Sequence, residues 1–176
     1  MEKNKNTFIS ASLVLAGLAA LIGLDQWTKH LAVLFLKGKD PVILIPGVLQ
    51  LQYLENRGAA FGMLQNKQWI FWILTAAFLV VAVIFYIKIP KTKRYVPLIT
   101  TAVVLVAGAV GNFIDRLANQ YVVDFVYFSL IDFPIFNVAD IYVTVTFIVL
   151  VLLIFFYYKD EDFSIYSRRQ EQKHAD

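Results

Sequence analysis

Two aspartates, Asp124 and Asp140, lie in apolar surroundings at the edge of a stretch long enough to cross a membrane. Asp140 closes Phe136-Asn137-Val138-Ala139-Asp140, and from Ile141 the chain carries no charge as far as Tyr158. Asp124 sits in Val122-Val123-Asp124-Phe125. A carboxylate at such a boundary is expensive to desolvate, which marks it as a candidate functional group. Two carboxylates facing each other in a low-dielectric pocket cannot both stay ionised, so they titrate as a coupled pair. The ionised member can take a proton from water while the protonated member donates to a carbonyl oxygen. That is the hydrolytic chemistry of an aspartic peptidase. The sequence does not say which aspartate plays which part.

Other polar residues gather near the same apolar boundaries. Asp25 and Lys29 are four apart on one helix face, where opposite charges pair. A plain explanation is an interfacial pair whose lysine snorkels; the alternative is that Asp25 orients a site. Asn112, Asp115 and Arg116 share a face at i, i+3 and i+4. A structural ion pair between Asp115 and Arg116 and an interhelical hydrogen bond from Asn112 would explain these three. A helix cap would explain Asp140, since an acid suits the positive end of a helix dipole. A solvated loop would explain Asp124. None of these explains why so many carboxylates and amides collect at one membrane depth.

Composition narrows the class. Hydrophobic residues are 59% and charged ones 16% of 176 residues, with a mean hydropathy of +0.65. Soluble domains run nearer 45–50% apolar and about 25% charged. The net charge of +3 sits mostly at chain ends and loops, a topology signal and not a nucleic-acid footprint. There is no cysteine, hence no disulfide, thiolate nucleophile or Cys-bound metal. His30 and His174 have no zinc-ligand pattern, there is no HExxH, and no serine lies in a Gly-x-Ser-x-Gly context. A glycine-rich phosphate loop and the Gly-x-Gly-Asp signature of presenilin-like proteases are also missing. No metal or organic cofactor is expected. A proton-coupled transporter would need charges near mid-span and repeat symmetry, and neither is visible. A membrane scaffold would leave the amide–carboxylate cluster without a purpose.

Four stretches meet the length of about 20 apolar residues needed to span a bilayer: roughly 8–24, 69–87, 96–114 and 141–158. The first resembles a secretory signal peptide in part, but Asp25 and Lys29 continue its helical register, so an uncleaved helix is expected. The whole chain, 1–176, reads as one integral membrane domain. Between the first two spans, about 37–67, Pro41-Val-Ile-Leu-Ile-Pro46 and the alternating Leu49-Gln-Leu-Gln-Tyr53 predict two strands joined at Gly47. Gly58-Ala-Ala-Phe-Gly62 follows, small enough for a backbone or ligand to approach closely. Trp69, Trp72, Tyr157 and Tyr158 fit interfacial belts, and Pro97 fits the first turn of the third helix.

Basic residues set the expected sidedness. The link between spans two and three holds Lys88, Lys91, Lys93 and Arg94, and the tail holds Lys159, Arg168, Arg169 and Lys173. The link between spans three and four holds one base, Arg116, against Asp115, Asp124 and Asp132. Both termini are therefore expected in the cytoplasm and the aspartates outside. Lys29, Lys37, Lys39, Arg57 and Lys67 in the first external segment run against this pattern.

Five stretches taken together resemble type II signal peptidase, the bacterial lipoprotein signal peptidase family: Asp25-Gln26-x-Thr28-Lys29, Asn56-x-Gly58-Ala59-Ala60-Phe61, Gly111-Asn112-x-Ile114-Asp115-Arg116, Val122-Val123-Asp124-Phe125 and Phe136-Asn137-x-Ala139-Asp140. They occur in the family's order and cover nearly the whole chain except the tail. The resemblance implies an all-α membrane protein of four transmembrane helices with a small extracytoplasmic β-cradle. It implies a multi-pass enzyme of the bacterial cytoplasmic membrane, with its active site near the extracytoplasmic face. The implied reaction removes signal peptides from prolipoproteins by cleaving before a diacylglyceryl-modified cysteine. The family's catalytic aspartates map onto Asp124 and Asp140. Its substrate-binding or supporting residues map onto Asp25, Lys29, Asn56, Gly58, Asn112, Arg116 and Asn137. The implied partners are diacylglyceryl-modified prolipoproteins, membrane lipids and globomycin-type inhibitors. Two departures stand out: the 16 positions from Asp124 to Asp140 make a short connection, and the stretch just after Ile141 lacks the serine that often follows the family's final aspartate.

Overall fold

The first helix runs much further than its apolar stretch. In the computed structural model, which describes residues 2–58, 63–159 and 161–162 with side chains from residue 11 onward, α1 extends over Glu2–Leu36. It carries on through Asp25 and Lys29, as their helical register implies, and runs beyond them to Leu36. The polar residues from Asp25 to Lys29 turn inward and find partners on other helices, so the helix has no reason to break there. It ends where Gly38 takes φ +72°, a left-handed C-terminal turn that glycine adopts without strain.

Three more helices follow: α2 (Gln68–Lys88), α3 (Val96–Asn119) and α4 (Val138–Leu152), the last continued by a wider turn over Leu153–Tyr157. Four helices are long and apolar enough to cross a membrane: Ala11–Leu36, Gln68–Lys88, Lys93–Asn119 and Val138–Tyr157. The third is longer than expected, closing at Gln120 with φ 64°, and Pro97 stands in its first turn. The fourth starts at Val138, three residues before the predicted start, so Asp140 lies inside its first turn. Large apolar side chains such as Leu13, Ile73, Val81, Ile87 and Phe147 stand exposed around these helices. Soluble proteins rarely show so much apolar surface; a bilayer covers it.

Helices α3 and α4 pack through small residues. A Cβ on Gly108 would stand 2.7 Å from the Ala139 carbonyl oxygen, and one on Gly111 would collide with the Asp25 carboxylate. These glycines let three helices meet almost backbone to backbone.

The β-cradle has three strands, one more than the sequence suggested. β1 (Val42–Ile45) and β2 (Leu49–Asn56) are joined by a turn at Gly47, φ +70°. β3 (Val122–Phe128) pairs antiparallel with β2, giving the order β1-β2-β3. The stretch holding Asp124 is thus a buried strand and not a loop. A bulge between Leu51 and Leu54 lets one extra β2 residue be absorbed, and Leu54 falls opposite Asp124. Ala32 and Leu36 of α1 pack on Val123 and Phe125, which fastens the sheet to the helices.

Candidate active site

The site forms where β3, α3 and the start of α4 meet, and it is built from carboxamides. Asp124 is 1% exposed. Its Oδ2 accepts a hydrogen bond from Asn56 Nδ2 at 2.8 Å and its Oδ1 from Asn137 Nδ2 at 2.6 Å. Asp140 accepts from Asn112 Nδ2 at 2.8 Å and from the Asn137 backbone N–H at 3.0 Å. Asn137 is fully buried and joins the two carboxylates, one through its side chain and one through its backbone.

Asn137 is also the N-cap of α4. Its Oδ1 accepts from the Asp140 N–H at 3.1 Å while Asp140 returns a bond to the Asn137 N–H, a reciprocal capping box. Capping of α4 and the placement of the two carboxylates are therefore one arrangement. The cap residue is held between two helices and a strand by the same bonds that start the helix.

A charge cluster sits beneath. Lys29 Nζ lies 2.9 Å from Asp25 Oδ2, 3.1 Å from Asp115 Oδ2 and 2.9 Å from Asn112 Oδ1. All three charged groups are at most 4% exposed. This is not a snorkelling surface pair: one buried cation serves two buried anions. The Lys29 and Asn137 donors both point at Asn112 Oδ1, which turns the Asn112 NH₂ towards Asp140. Asp25 Oδ1 accepts from the Ala139 N–H at 3.0 Å, tying α1 to the first turn of α4. Asp115 Oδ2 accepts from the Val123 N–H at 3.0 Å, anchoring β3 at the residue before Asp124.

Asp115 pairs with Lys29, and among the described residues no ion pair joins it to Arg116, contrary to expectation. Arg116 instead reaches the Gly58 carbonyl at 3.2 Å and lies 4.2 Å from the centre of the Phe71 ring. The sequence pattern placed Asp115 and Arg116 on one face but could not show that a lysine 86 positions earlier would claim the acid. Gln26, named in the sequence only as part of its motif, belongs to the same cluster. Its Nε2 contacts Asp25 Oδ2, the Gly111 carbonyl and Asp115 Oδ1 at 3.0–3.2 Å. The signal for it was its place between Asp25 and Lys29 in a polar interruption of an apolar helix. Ala59, Ala60 and Phe61 and the tail beyond Asp162 lie outside the described residues.

Asp124 and Asp140 line a cavity of about 920 Å³ with Asn56, Gly58, Asn112 and Arg116. Its lining also includes Gln52, Leu54 and Tyr127 from the sheet and Ile141, Thr144 and Val145 from α4, with Val145 half-exposed. Burial first, and the charge of Asp140 second, push the Asp124 carboxyl up to about 7, against the pull of the Asn56 and Asn137 hydrogen bonds. Asp124 therefore keeps a proton at neutral pH far more readily than an ordinary aspartate. Among the described residues no group of His, Cys, Asp and Glu is arranged to hold a metal ion.

Comparison with known proteins gives one consistent answer. A family described as signal peptidase (SPase) II matches residues 3–156. The lipoprotein signal peptidase of Streptococcus thermophilus (strain CNRZ 1066) is 44% identical over 135 residues, covering 77% of this chain and 87% of that protein. That of Brevibacillus brevis is 44% identical over 137 residues, covering 78% and 91%. That of Streptococcus pyogenes serotype M3 (strain ATCC BAA-595 / MGAS315) is 38% identical over 151 residues, covering 86% and 96%. Two solved structures, both described as bacterial membrane enzymes, superpose with TM-scores of 0.72 and 0.71 at 32% identity. They cover 81% and 84% of this chain and 87% and 95% of their own.

Proposed function

Since the chain belongs to the signal peptidase II family, whose members process prolipoproteins, we propose that it is an aspartic endopeptidase with Asp124 and Asp140 as the catalytic pair. It removes the signal peptide by cutting just before a diacylglyceryl-modified cysteine. The observation that carries the catalytic assignment is the bridge of Asn137 between two buried carboxylates on one cavity wall.

The roles follow from the surroundings. Asp140 stands in the first turn of α4, at the positive end of the helix, a place that Asp124 on its strand does not share and that favours a negative charge. It acts as the ionised base. Asp124, pushed up to about 7, holds the shared proton. Asp140 takes a proton from water as its oxygen attacks the scissile carbonyl carbon, and Asp124 gives its proton to the carbonyl oxygen. The tetrahedral intermediate then collapses: Asp140 passes the proton it took from water to the departing cysteine nitrogen, Asp124 takes a proton back from the gem-diol, and the signal peptide keeps the new carboxyl group. Asn56, Asn112 and Asn137 hold the pair. Arg116 and Gly58 face the substrate backbone from the same cavity, and Asp25 and Lys29 fix the helices beneath.

The lipid-facing end of the cavity receives the diacylglyceryl chains and the signal helix directly from the bilayer. Globomycin-type inhibitors would occupy the same wall, by family likeness. Purified protein incubated with lipidated and unlipidated forms of one prolipoprotein should cleave the lipidated form faster by about tenfold or more, because the lipid anchors the scissile bond at the membrane depth of the site and raises its effective concentration there. Equal rates would refute the lipid requirement.

The protein is a multi-pass membrane protein. We place both termini in the cytoplasm and the site at the outer face of a single membrane domain, on the strength of the basic link Lys88–Arg94. The chain has no cysteine, so single ones can be introduced cleanly. Thr92 and Asn119 are both exposed. In intact cells Thr92→Cys should resist a membrane-impermeant thiol reagent and Asn119→Cys should react; the opposite labelling would invert the topology.

A further inference from the structure

The active-site cavity is longer than the catalytic pair requires, and its outer wing is chemically distinct. That wing is walled by Gln52 and Leu54 on β2, Tyr127 on β3, and Asp132 and Phe133 in the turn that follows. The turn is built rather than slack. Asp132 takes φ 49°, its N–H donates to the Ser129 carbonyl, and the Phe133 N–H donates to the Phe128 carbonyl. The Tyr127 hydroxyl donates to Asp132 Oδ1, and the Phe133 ring meets Phe136 edge to face at 5.8 Å.

Charge separates Asp132 from the other acids lining the cavity. Asp124 and Asp140 face the reaction. Glu55 is bridged by Lys37 at 2.9 Å and Arg57 at 3.3 Å. Asp132 has no ion-pair partner among the described residues. A fixed carboxylate beside an exposed aromatic ring suits a Lys or Arg side chain, whose stem lies on the ring while its cation meets the acid.

Resting on the proposed cleavage before the lipidated cysteine, we infer that Asp132, oriented by Tyr127, forms a subsite favouring a basic residue shortly after that cysteine. The signal helix must lie on the membrane side of the catalytic pair, so the mature chain leaves along the sheet. Asp124 and Tyr127 are three strand positions apart, roughly 10 Å at about 3.3 Å per residue. An extended substrate covers that distance in about three residues. The subsite therefore reads the third or fourth residue of the mature protein, counting the cysteine as first.

Two lipidated prolipoprotein peptides that differ only there, with Lys or with Glu at both positions, provide the test. The intact enzyme should give a kcat/KM about threefold higher for the Lys peptide at low salt, the size expected of an exposed ion pair, and the ratio should shrink as salt is raised. Asp132→Asn, which tolerates the left-handed backbone, should bring the ratio to one, chiefly by lowering kcat/KM for the Lys peptide. Tyr127→Phe should lower the ratio by loosening the carboxylate. Equal rates for the two peptides, or a preference that survives Asp132→Asn, would overturn the subsite alone. Cleavage of both peptides at a bond other than the one before the cysteine would overturn the functional assignment and the subsite with it.

Discussion

Replacing either Asp124 or Asp140 by Asn should leave a correctly inserted protein with no measurable turnover. Both substitutions keep size and hydrogen-bonding capacity but remove the proton exchange that activates water. Groups that act as one catalytic unit fail together, with losses on the order of 10⁴-fold or more, and the double variant should be no worse than either single one. Asp115→Asn is the contrasting case. Asp115 is as deeply buried, at 4% exposed, but its bonds go to Lys29, Gln26 and the Val123 backbone, not into the cavity. It should lower stability and keep measurable cleavage. Single-turnover assays on folded protein decide the matter. Near-normal turnover by Asp124→Asn, with none from equally folded Asp115→Asn, would mean that Asp140 has a different partner.

The second large effect is on stability. Lys29→Met should destabilise the protein by about 3–5 kcal/mol, the usual result of leaving buried charges unpaired. Lys29 is the cation between Asp25 and Asp115, and a methionine would strand both acids between helices. For a chain of this size the expected fall in Tm is on the order of 10 °C, read by thermal unfolding in detergent. Neutralising the acids as well, in Asp25→Asn/Lys29→Met/Asp115→Asn, should recover part of the loss, because the worst element of the single variant is the uncompensated charge and not the missing ammonium. An unchanged Tm for Lys29→Met would show that water or lipid headgroups already serve these acids.

The parts of the fold that were legible in the sequence are those governed by local pattern. Four apolar stretches, the strand pair around Gly47 and the first-turn Pro97 all appear where periodicity and turn chemistry put them. The failures were of one kind. Helix α1 runs on to Leu36, α3 on to Asn119, and β3 is a strand, because distant partners satisfy residues that look like punctuation. Asp25 and Lys29 resemble a helix end until Asp115, Asn112 and the Ala139 N–H are brought against them. Asp124 resembles a loop residue until β2 supplies Asn56. The residues mapped by motif onto the site do meet in one network. Asn137 shows what motif spacing cannot convey: one residue caps a helix and holds both carboxylates.

The central claim is that the Asp124–Asp140 pair directs water straight onto the scissile carbonyl, with no covalent link between enzyme and peptide. A single turnover in H₂¹⁸O, with a lipidated prolipoprotein and excess enzyme, tests it by mass spectrometry of both products and of the enzyme peptides. We expect one ¹⁸O in the new carboxylate of the released signal peptide, none in the lipoprotein beginning at the modified cysteine, and none in Asp124 or Asp140. Label appearing in either aspartate, or a signal peptide freed without label on the first turnover, would contradict it.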